Sequence, residues 1–443
     1  MADLGFSRRG KVSDQYGNQY QLASELARGG QGVVYRTADP DLAIKQPLRA
    51  DGEVDLTSDR QGTYQKVRWL PLPPRIPISL PKAVLRDEPG YVMRLLSDME
   101  PFSTFELNGD TRIGMAHETI PKWLAGSKDK GAALTLLHYA RSGSTKRRLL
   151  ALGKAAAILA RLHAAGLVYC DISPNNCFMS EGGSKDVWLI DTDNLRFERA
   201  EGGSSVFTPR YGAPEVVQGV DRSRPRSDCW AFAVMSFELL ALVHPFIGEK
   251  VLFPDDTEGG WDAEPISDGA PDPDQRAFAG LLPFIDDEKD RSNRGVSGLP
   301  RALVLTSQLA RLFQETFVPG CRDAWRRPAM AYWALELTRA HDQSIECHTC
   351  SMSHGIDHIK CPYCKAPRMK TAIATTDRWQ MVIQADGTEV KLPHRLFNPF
   401  SLELNADTAF EAVLDFKGES ATRVRGTDPL PTGLTFRFLK GSR

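Results

Sequence analysis

Apolar residues recur at helical spacing through the middle of the chain. The stretch Thr145–Ala165 carries apolar side chains at Leu149, Leu152, Ala156, Leu159, Leu162 and Ala165. Because one helical turn takes 3.6 residues, this spacing predicts a strong helix with a buried face. Residues 53–69 show the same period more weakly and predict a second helix.

Strand-like patterns precede the long helix. Residues 20–45 alternate around a glycine cluster, and Lys82–Arg86 and Gly90–Leu95 predict two paired strands. The pattern of apolar and polar residues over 106–144 fits no single period, and we predict an insertion that contains a helix. From Gly166 to Glu215 the pattern indicates loops around a strand.

A helix-rich region follows to about His341. It is interrupted by an acidic stretch rich in Gly and Pro at 254–275, which predicts a surface insertion. Farther on, Trp379–Leu392 alternates around Asp386-Gly387, which predicts a short hairpin. Phe410–Phe416 and Leu434–Phe438 predict further strands.

Composition and charge narrow the functional classes. The chain has 443 residues, 42% of them apolar, 25% charged, and a net charge of −1. No overall field therefore attracts nucleic acid or an anionic membrane. The first residues show no signal-peptide pattern, and the apolar run Trp230–Ile247 predicts a buried helix rather than a membrane span. We expect a cytoplasmic protein.

A glycine-rich segment precedes a lysine on a short strand. Gly29, Gly30 and Gly32 allow the backbone to approach phosphate groups, and Lys45 can neutralise their charge. Taken alone, this segment also fits a hairpin with an exposed lysine. The candidate ATP-binding residues are Leu26, Ala27, Gly29, Gly30, Gly32, Val34, Ala43, Lys45, Met93 and Leu95.

Three further polar residues suit phosphoryl transfer. Asp171 and Asn176 lie five positions apart on the loop after the long helix, and Asp191 ends an apolar strand. A carboxylate that accepts the hydroxyl proton and oxygen ligands for Mg²⁺ are the requirements of this chemistry. We assign the base role to Asp171 and the Mg²⁺ ligands to Asn176 and Asp191.

These segments together resemble the eukaryotic-type protein kinase superfamily from about Tyr20 to His341. Ala213-Pro214-Glu215 matches its APE motif, and Asp228 resembles the aspartate that braces the catalytic loop. Arg327 resembles the arginine that pairs with Glu215. The resemblance implies ATP and Mg²⁺ as cofactors, protein substrates, and catalytic roles for Lys45, Asp171, Asn176 and Asp191.

The sequence departs from the family at several positions. Ala27 replaces the first loop glycine, Cys170 the arginine before the catalytic aspartate, Ser173 the catalytic-loop lysine, and Asp193 the glycine of the DFG motif. No helix glutamate that pairs with Lys45 is evident, because Glu53 lies too close, Asp59 is short and Gln65 is uncharged. A pseudokinase that acts as a nucleotide-binding scaffold therefore remains the alternative.

The segment Thr208-Pro209-Arg210-Tyr211 resembles that of Ser/Thr kinases, so we expect serine or threonine substrates. Ser204, Ser205 and Thr208 are candidate phosphorylation sites. The sequences CDISPNN and LIDTDN resemble atypical bacterial kinases of stress or tellurite-resistance clusters. That resemblance implies a metal-dependent protein phosphatase and a von Willebrand A-type protein as partners.

Four cysteines form two CxxC pairs near the C-terminal third. Cys347, Cys350, Cys361 and Cys364 have the spacing of a structural zinc site, with all four tetrahedral positions filled. So short a segment has little apolar mass and needs a metal to hold it together.

We therefore predict an α+β chain with a two-lobed protein-kinase fold over residues 1–342. Its β-rich N-lobe spans about 15–96 and its helical C-lobe about 97–342. A zinc ribbon with four cysteine ligands at 343–368 and a small β-rich module at 369–443 follow.

Overall fold

The computed structural model describes residues 10–29, 32–127, 129–181, 186–198, 207–253, 272–369, 371–384, 389–399, 410–417, 420–426 and 429–439. Within these residues the chain forms two lobes, followed by a short cysteine-containing ribbon and a β-rich module. Gly30, Ser204, Ser205, the Asp386-Gly387 turn and residues 254–271 of the acidic stretch lie outside the described residues.

The N-terminal lobe is a six-stranded antiparallel sheet. Its strands are β1 Lys11–Ser13, β2 Gln19–Gly29, β3 Gly32–Thr37, β4 Leu42–Pro47, β5 Ala83–Val84 and β6 Tyr91–Arg94. They lie in the order β1-β2-β3-β4-β6-β5. The pairing of β5 with β6 confirms the hairpin predicted from the sequence. The sheet begins at Lys11, slightly before the predicted start of the lobe.

One helix packs beside this sheet. Helix α1, Gln61–Arg68, falls within the weak helical pattern of residues 53–69 and buries Tyr64 and Val67. Its sequence, QGTYQKVR, contains no carboxylate. The helix therefore offers no acidic partner for the strand lysine.

The C-terminal lobe is built around one long buried helix. Its helices are α2 Gly109–Met115, α3 Lys130–Arg141, α4 Ser144–Ala164, α5 Pro214–Val217, α6 Pro225–Ala241, α7 Glu249–Leu252, α8 Pro273–Phe278, α9 Arg301–Val304, α10 Ser307–Phe317, α11 Pro319–Arg322 and α12 Met330–Asp342. Helix α4 confirms the predicted long helix and packs mainly against α12 and α6. The strongly apolar α6 is buried in this core, as the run Trp230–Ile247 predicts.

Short strands position the polar loops between the helices. A sheet joins β10 Val187–Leu189, β9 Cys177–Ser180 and β7 Met99–Pro101, and a second pairs β8 Leu167–Val168 with β11 Arg196–Phe197. The loop of Asp171 and Asn176 connects β8 to β9, and Asp191 follows β10. Strand ends therefore bring these side chains to one edge of the lobe.

The cysteine ribbon packs directly on the helical lobe. Its strands β12 Ser344–Glu346 and β13 Ser353–Gly355 are paired and contact α4. Helix α4 has no side-chain cap of its own at Gly143. The hydroxyl of Ser353, 2.8 Å away, accepts the N–H of Lys146 and caps the helix from the ribbon.

The C-terminal module consists of two three-stranded sheets. The strands are β14 Thr371–Thr375, β15 Gln380–Gln384, β16 Glu389–Pro393, β17 Phe410–Lys417, β18 Ser420–Arg425 and β19 Thr435–Leu439, with the short helix α13 His394–Phe397 after β16. One sheet has the order β15-β14-β19 and the other β16-β17-β18. Strands β17 and β19 confirm two predicted strands.

The predicted hairpin within Trp379–Leu392 is wrong. Both halves are strands, but β15 pairs with β14 and β16 pairs with β17. The alternating pattern identified the strands correctly, since one face of each is buried in the module core around Leu392 and Leu414. Alternation identifies a strand but not its partner: β15 pairs with the strand before it and β16 with a strand after it.

A buried carboxylate joins the module to the kinase-like part. Asp342, the last residue of α12, accepts hydrogen bonds from Arg395 at 2.7 and 3.1 Å and from the indole of Trp379 at 2.8 Å. Its side chain is fully buried. These contacts make the end of α12 a structural junction.

Among the described helices, none has the length and apolar character needed to cross a lipid bilayer.

Candidate active site

A cavity of about 1020 Å³ lies between the two lobes. Lys45, Asp171, Asn176 and Asp191 line it, although they come from separate segments of the chain. The glycine-rich segment forms its roof, with Ala27, Gly29, Gly32 and Val34, and Met93 also contributes. Of the predicted ATP-binding residues within the described chain, Leu26, Ala43 and Leu95 do not line this cavity.

Close packing on the lysine explains one glycine of the roof. Gly32 begins β3, and Val34, two residues further along this strand, pairs with Lys45 in β4. A Cβ at Gly32 would lie 2.8 Å from the carbonyl oxygen of Gln46 and 3.0 Å from Cε of Lys45. A larger residue would therefore push the lysine from its position.

Lys45 is buried between two carboxylates. Its ammonium donates to Asp191, and to Asp193 at 2.8 Å. Burial alone would lower the pKa of Lys45, but the charges of Asp193 and Asp191 raise this pKa well above its ordinary value. The lysine is therefore charged at neutral pH.

The two carboxylates differ in their surroundings. Asp191 lines the cavity and adopts a left-handed backbone conformation with φ of 54°. Burial and the neighbouring Asp193 charge raise the pKa of Asp191, against the opposing effect of Lys45. Asp193 lies in the 3₁₀ turn Thr192–Asn194, and its second oxygen accepts the hydroxyl of Tyr91 at 2.6 Å.

Asp171 is held by contacts on both sides. Its carboxylate accepts the hydroxyl of Thr208 at 2.8 Å, and its backbone carbonyl accepts the amide of Asn176 at 2.8 Å. Burial raises the pKa of the Asp171 carboxyl, although the Thr208 hydrogen bond opposes the shift. A carboxylate in this setting is able to accept a hydrogen bond from an alkyl hydroxyl.

Asp228 braces the loop that carries Asp171. Its carboxylate accepts the backbone N–H groups of Tyr169 at 2.8 Å and of Cys170 at 3.0 Å. Cys170 has φ of 76°, which a residue with a Cβ seldom adopts, so these bonds hold a strained backbone in place. The imidazole of His163 contacts the same carboxylate at 3.0 Å.

Glu215 and Arg327 lie together beneath the site. Two guanidinium nitrogens donate to the two carboxylate oxygens at 2.8 and 2.7 Å. The hydroxyl of Ser227 also donates to Glu215, at 3.0 Å. Arg327 is 1% exposed, so this pair ties the segment after the site to the interior of the lobe.

Sequence reasoning missed three contacts at the site. Asp193 accepts hydrogen bonds from Lys45 and from Tyr91, and Asp171 accepts one from Thr208. Gln65 turns outward to Gln15 at 3.1 Å, so this candidate helix partner does not reach Lys45. The carboxylate at Asp193, where the family has glycine, was the available signal for the first contact.

The four predicted cysteines lie together. Their sulfur atoms are all within 4.8 Å of one another, with Cys347 and Cys364 3.5 Å apart and Cys350 and Cys361 3.7 Å apart. A tetrahedron with Zn–S distances of about 2.3 Å has edges of about 3.8 Å. The donor set and its size therefore fit one zinc ion.

Comparison with known proteins agrees with this geometry. The protein kinase domain family matches residues 137–257. The chain is 25% identical over 289 residues to the DNA damage-responsive serine/threonine-protein kinase RqkA of Deinococcus radiodurans, which covers 63% of this chain and 39% of the relative. It is 28% identical over 202 residues to the serine/threonine-protein kinase PkaB of Streptomyces coelicolor, covering 41% and 46%.

A further similarity is to the serine/threonine-protein kinase PknL of Mycobacterium tuberculosis, at 37% identity over 98 residues, 21% of this chain and 24% of the relative. The chain thus spans less than half the length of each of these relatives. The segment that matches the family contains the loop of Asp171, and the two-lobed architecture surrounds it. Residues 137–257 thus match the protein kinase domain family, and the two lobes around them resemble the fold of eukaryotic-type protein kinases.

Proposed function

We propose that this chain is an ATP- and Mg²⁺-dependent protein kinase that phosphorylates serine or threonine. The observation that carries the proposal is that Lys45, Asp171, Asn176 and Asp191 line one cavity between the lobes. Phosphoryl transfer needs mainly charge neutralisation and positioning, and this set supplies both. The similarity to three bacterial serine/threonine kinases supports it.

The residues divide the task by their chemistry. The charged Lys45 binds the phosphates of ATP beneath the glycine-rich roof, and the oxygens of Asn176 and Asp191 suit Mg²⁺. Bound Mg²⁺ would neutralise charge on the phosphoryl oxygens. Asp171 orients the substrate hydroxyl and accepts its proton.

The contact between Thr208 and Asp171 favours a hydroxyl substrate. An alkyl hydroxyl is accommodated 2.8 Å from this carboxylate. Through the same contact Thr208 positions the carboxylate of Asp171. Thr208 also stays a predicted phosphorylation site. Ser204 and Ser205 stay predicted phosphorylation sites.

The same cavity continues past Asp171 to a second group of polar residues. Arg210 donates to both oxygens of Glu238 at 3.0 Å, and Glu106 and His244 line this part too. An extension of this kind has room for a protein segment beside the nucleotide. We place the substrate chain there.

The test of the proposed activity is Asp171→Asn. We expect phosphoryl transfer from γ-³²P-ATP to fall about a thousandfold, because the amide accepts no proton. Affinity for a fluorescent ATP analogue should stay within a few-fold. Asp186→Asn, at an exposed position on the same lobe, is the matched control and should behave like the wild type.

Phosphoamino-acid analysis of the wild-type product identifies the acceptor residue. Transfer to serine or threonine supports the proposal, and transfer to tyrosine alone contradicts it. A wild-type chain that binds ATP but transfers no phosphate would be a nucleotide-binding scaffold, the alternative that Cys170 and Ser173 keep open. Retained transfer in Asp171→Asn would remove this residue from the base role.

We also propose that Cys347, Cys350, Cys361 and Cys364 bind one zinc ion with a structural role. Elemental analysis of the purified chain should give one zinc per chain, and Cys361→Ser should lose it. Cys321→Ser, which changes a cysteine outside the cluster, should retain the metal. Zinc retained in Cys361→Ser would contradict the ligand assignment.

The cellular context rests on the sequence resemblance. We propose a cytoplasmic kinase of bacterial signalling or stress response that phosphorylates itself as well as other proteins. A metal-dependent phosphatase and a von Willebrand A-type protein are its proposed partners. Purification from the native cells, followed by identification of the bound proteins, tests this assignment.

A further inference from the structure

The helix beside the strand lysine carries no acidic residue. In protein kinases, an ion pair between this lysine and a helix glutamate has to be in place for transfer. Here α1 has the sequence QGTYQKVR and turns Tyr64 and Val67 inward. Gln65 points away, to Gln15. The usual partner of Lys45 is therefore absent from this helix.

A different carboxylate occupies the position beside Lys45. One oxygen of Asp193 lies 2.8 Å from the lysine ammonium, and the other accepts the Tyr91 hydroxyl at 2.6 Å. The Asp193 side chain is 4% exposed, against 23% for Asp191. Asp191 lines the cavity, whereas Asp193 is not among its lining residues. Asp193 therefore contacts the lysine from outside the cavity lining.

The neighbouring elements hold Asp193 in this orientation. Tyr91 belongs to β6 of the N-terminal lobe, and Asp193 follows β10 of the C-terminal lobe. The ring of Tyr64 on α1 packs edge-on against Tyr91, with 4.8 Å between ring centroids. Helix α1 is thus linked to Lys45 indirectly: Tyr64 packs on Tyr91, Tyr91 donates to Asp193, and Asp193 contacts the lysine.

We propose that Asp193 is the positioning residue for Lys45, in place of the missing helix glutamate, and that Tyr91 orients Asp193. This inference rests on the proposed function, because Lys45 is taken to bind the ATP phosphates. A buried ammonium needs a permanent anionic partner. Asp193 supplies this partner outside the cavity lining, whereas Asp191, which Lys45 also contacts, lines the cavity.

The test is a double-mutant cycle on nucleotide affinity. The variants are Asp193→Asn, Lys45→Met and the double variant, and the probe is a fluorescent ATP analogue, with Mg²⁺ and with EDTA. We expect Asp193→Asn to weaken binding roughly tenfold in both conditions, the effect of one lost charge-assisted hydrogen bond. In the Lys45→Met background, Asp193→Asn should add nothing, because it acts through the lysine.

Each other outcome overturns the inference. A loss confined to the Mg²⁺ condition would make Asp193 a metal ligand, and additive losses would make it independent of Lys45. Unchanged affinity in Asp193→Asn would show that the lysine needs no such partner. Failure of the wild type to bind ATP or transfer phosphate is a different result, since it contradicts the proposed function itself.

A milder variant covers the case in which Asp193→Asn does not fold, judged by circular dichroism. Tyr91→Phe removes only the hydroxyl that orients Asp193. We expect it to weaken binding a few-fold when Lys45 is present and to have no effect in Lys45→Met. An equal effect in both backgrounds would contradict the proposal.

Discussion

Two buried groups of charged residues lie in different parts of the molecule, and their charge balance differs. At the cleft, the single ammonium of Lys45 contacts two carboxylates, Asp191 and Asp193. At the junction with the C-terminal module, the single carboxylate of Asp342 contacts the guanidinium of Arg395. The first group has a surplus negative charge, and the second is neutral.

The pKa values of the acids follow this balance. Burial and the nearby Asp193 raise the pKa of Asp191. Burial acts in the same direction on Asp342, but the hydrogen bond from His341 and the charge of Arg395 prevail and lower its pKa. A surplus charge next to a cavity suits the binding of a further cation, whereas a satisfied pair suits a structural junction.

The largest effect on the free energy of unfolding is expected at the junction with the C-terminal module. Asp342→Ala leaves the guanidinium of Arg395, only 10% exposed, without its carboxylate. Removal of one partner from a buried pair costs about 3–5 kcal/mol. Urea unfolding should show this loss, and kcat of the remaining folded protein should be unchanged.

Glu336→Ala on the same helix is the control for that variant. Glu336 pairs with Arg339, whose side chain is 38% exposed, so its loss should cost less than about 1 kcal/mol. Equal destabilisation by both variants would show that Asp342 is no special junction. Loss of kcat in Asp342→Ala would show that the two charged groups are coupled.

At the cleft we expect the opposite: a large loss of kcat with little or no loss of stability. Asp191→Ala should lower kcat at least a hundredfold, equivalent to about 3 kcal/mol in the transition state, because a ligand for Mg²⁺ is lost. Its free energy of unfolding should stay the same or rise, since Lys45 keeps Asp193 as a partner. Stability loss as large as that of Asp342→Ala would contradict the contrast between the two groups.

The next largest effect on stability concerns the cysteine ribbon, which lies between Asp342 and Arg395 in the chain. Ser353→Ala removes the hydroxyl that caps α4 at Lys146, which should cost about 1 kcal/mol of unfolding free energy. Ser297→Ala, at an exposed site, should have no measurable effect. A null result for Ser353→Ala would mean that the ribbon does not support the kinase lobe through this cap.

Local patterns predicted the elements but not the partners across the molecule. The helix at Thr145–Ala165 followed from its own spacing, and the loop of Asp171 and Asn176 from its motif. The contact between Lys45 and Asp193 joins residues 148 positions apart, and no local pattern encodes such a pairing. The predicted hairpin within Trp379–Leu392 failed because β15 pairs with the strand before it, β14, and β16 pairs with the later strand β17.

Similar limits apply to Asp342 and Thr208. Asp342 ends a helix and reads in the sequence as an ordinary terminal residue, but its partner Arg395 lies 53 positions away. The sequence predicted Thr208 only as a candidate phosphorylation site in a segment that resembles Ser/Thr kinases, whereas its contact with Asp171 depends on the packing of that segment against the catalytic loop. The sequence thus contained the residue types, and tertiary packing determined their contacts.

The smallest expected effect is a pH dependence of the junction. His341 contacts Asp342 at 2.8 Å. Burial lowers the pKa of His341 from its ordinary value of about 6.5, aided by the charges of Lys146 and Arg395, although the Asp342 hydrogen bond opposes this shift. The folded imidazole therefore stays neutral at a pH where the unfolded one is protonated. Stability from this group is present above about pH 6.5 and decreases as the pH falls below it.

The measurement compares the free energy of unfolding at about pH 7.5 and about pH 6.0 for the wild type and His341→Asn. The asparagine amide can still donate to Asp342 but does not titrate. At the lower pH the wild type should lose up to about 1 kcal/mol more than the variant, because its unfolded state binds the additional proton. Other histidines titrate in both proteins and cancel in the difference. An equal pH dependence in both would show that His341 titrates alike in the folded and unfolded states, and would contradict this prediction.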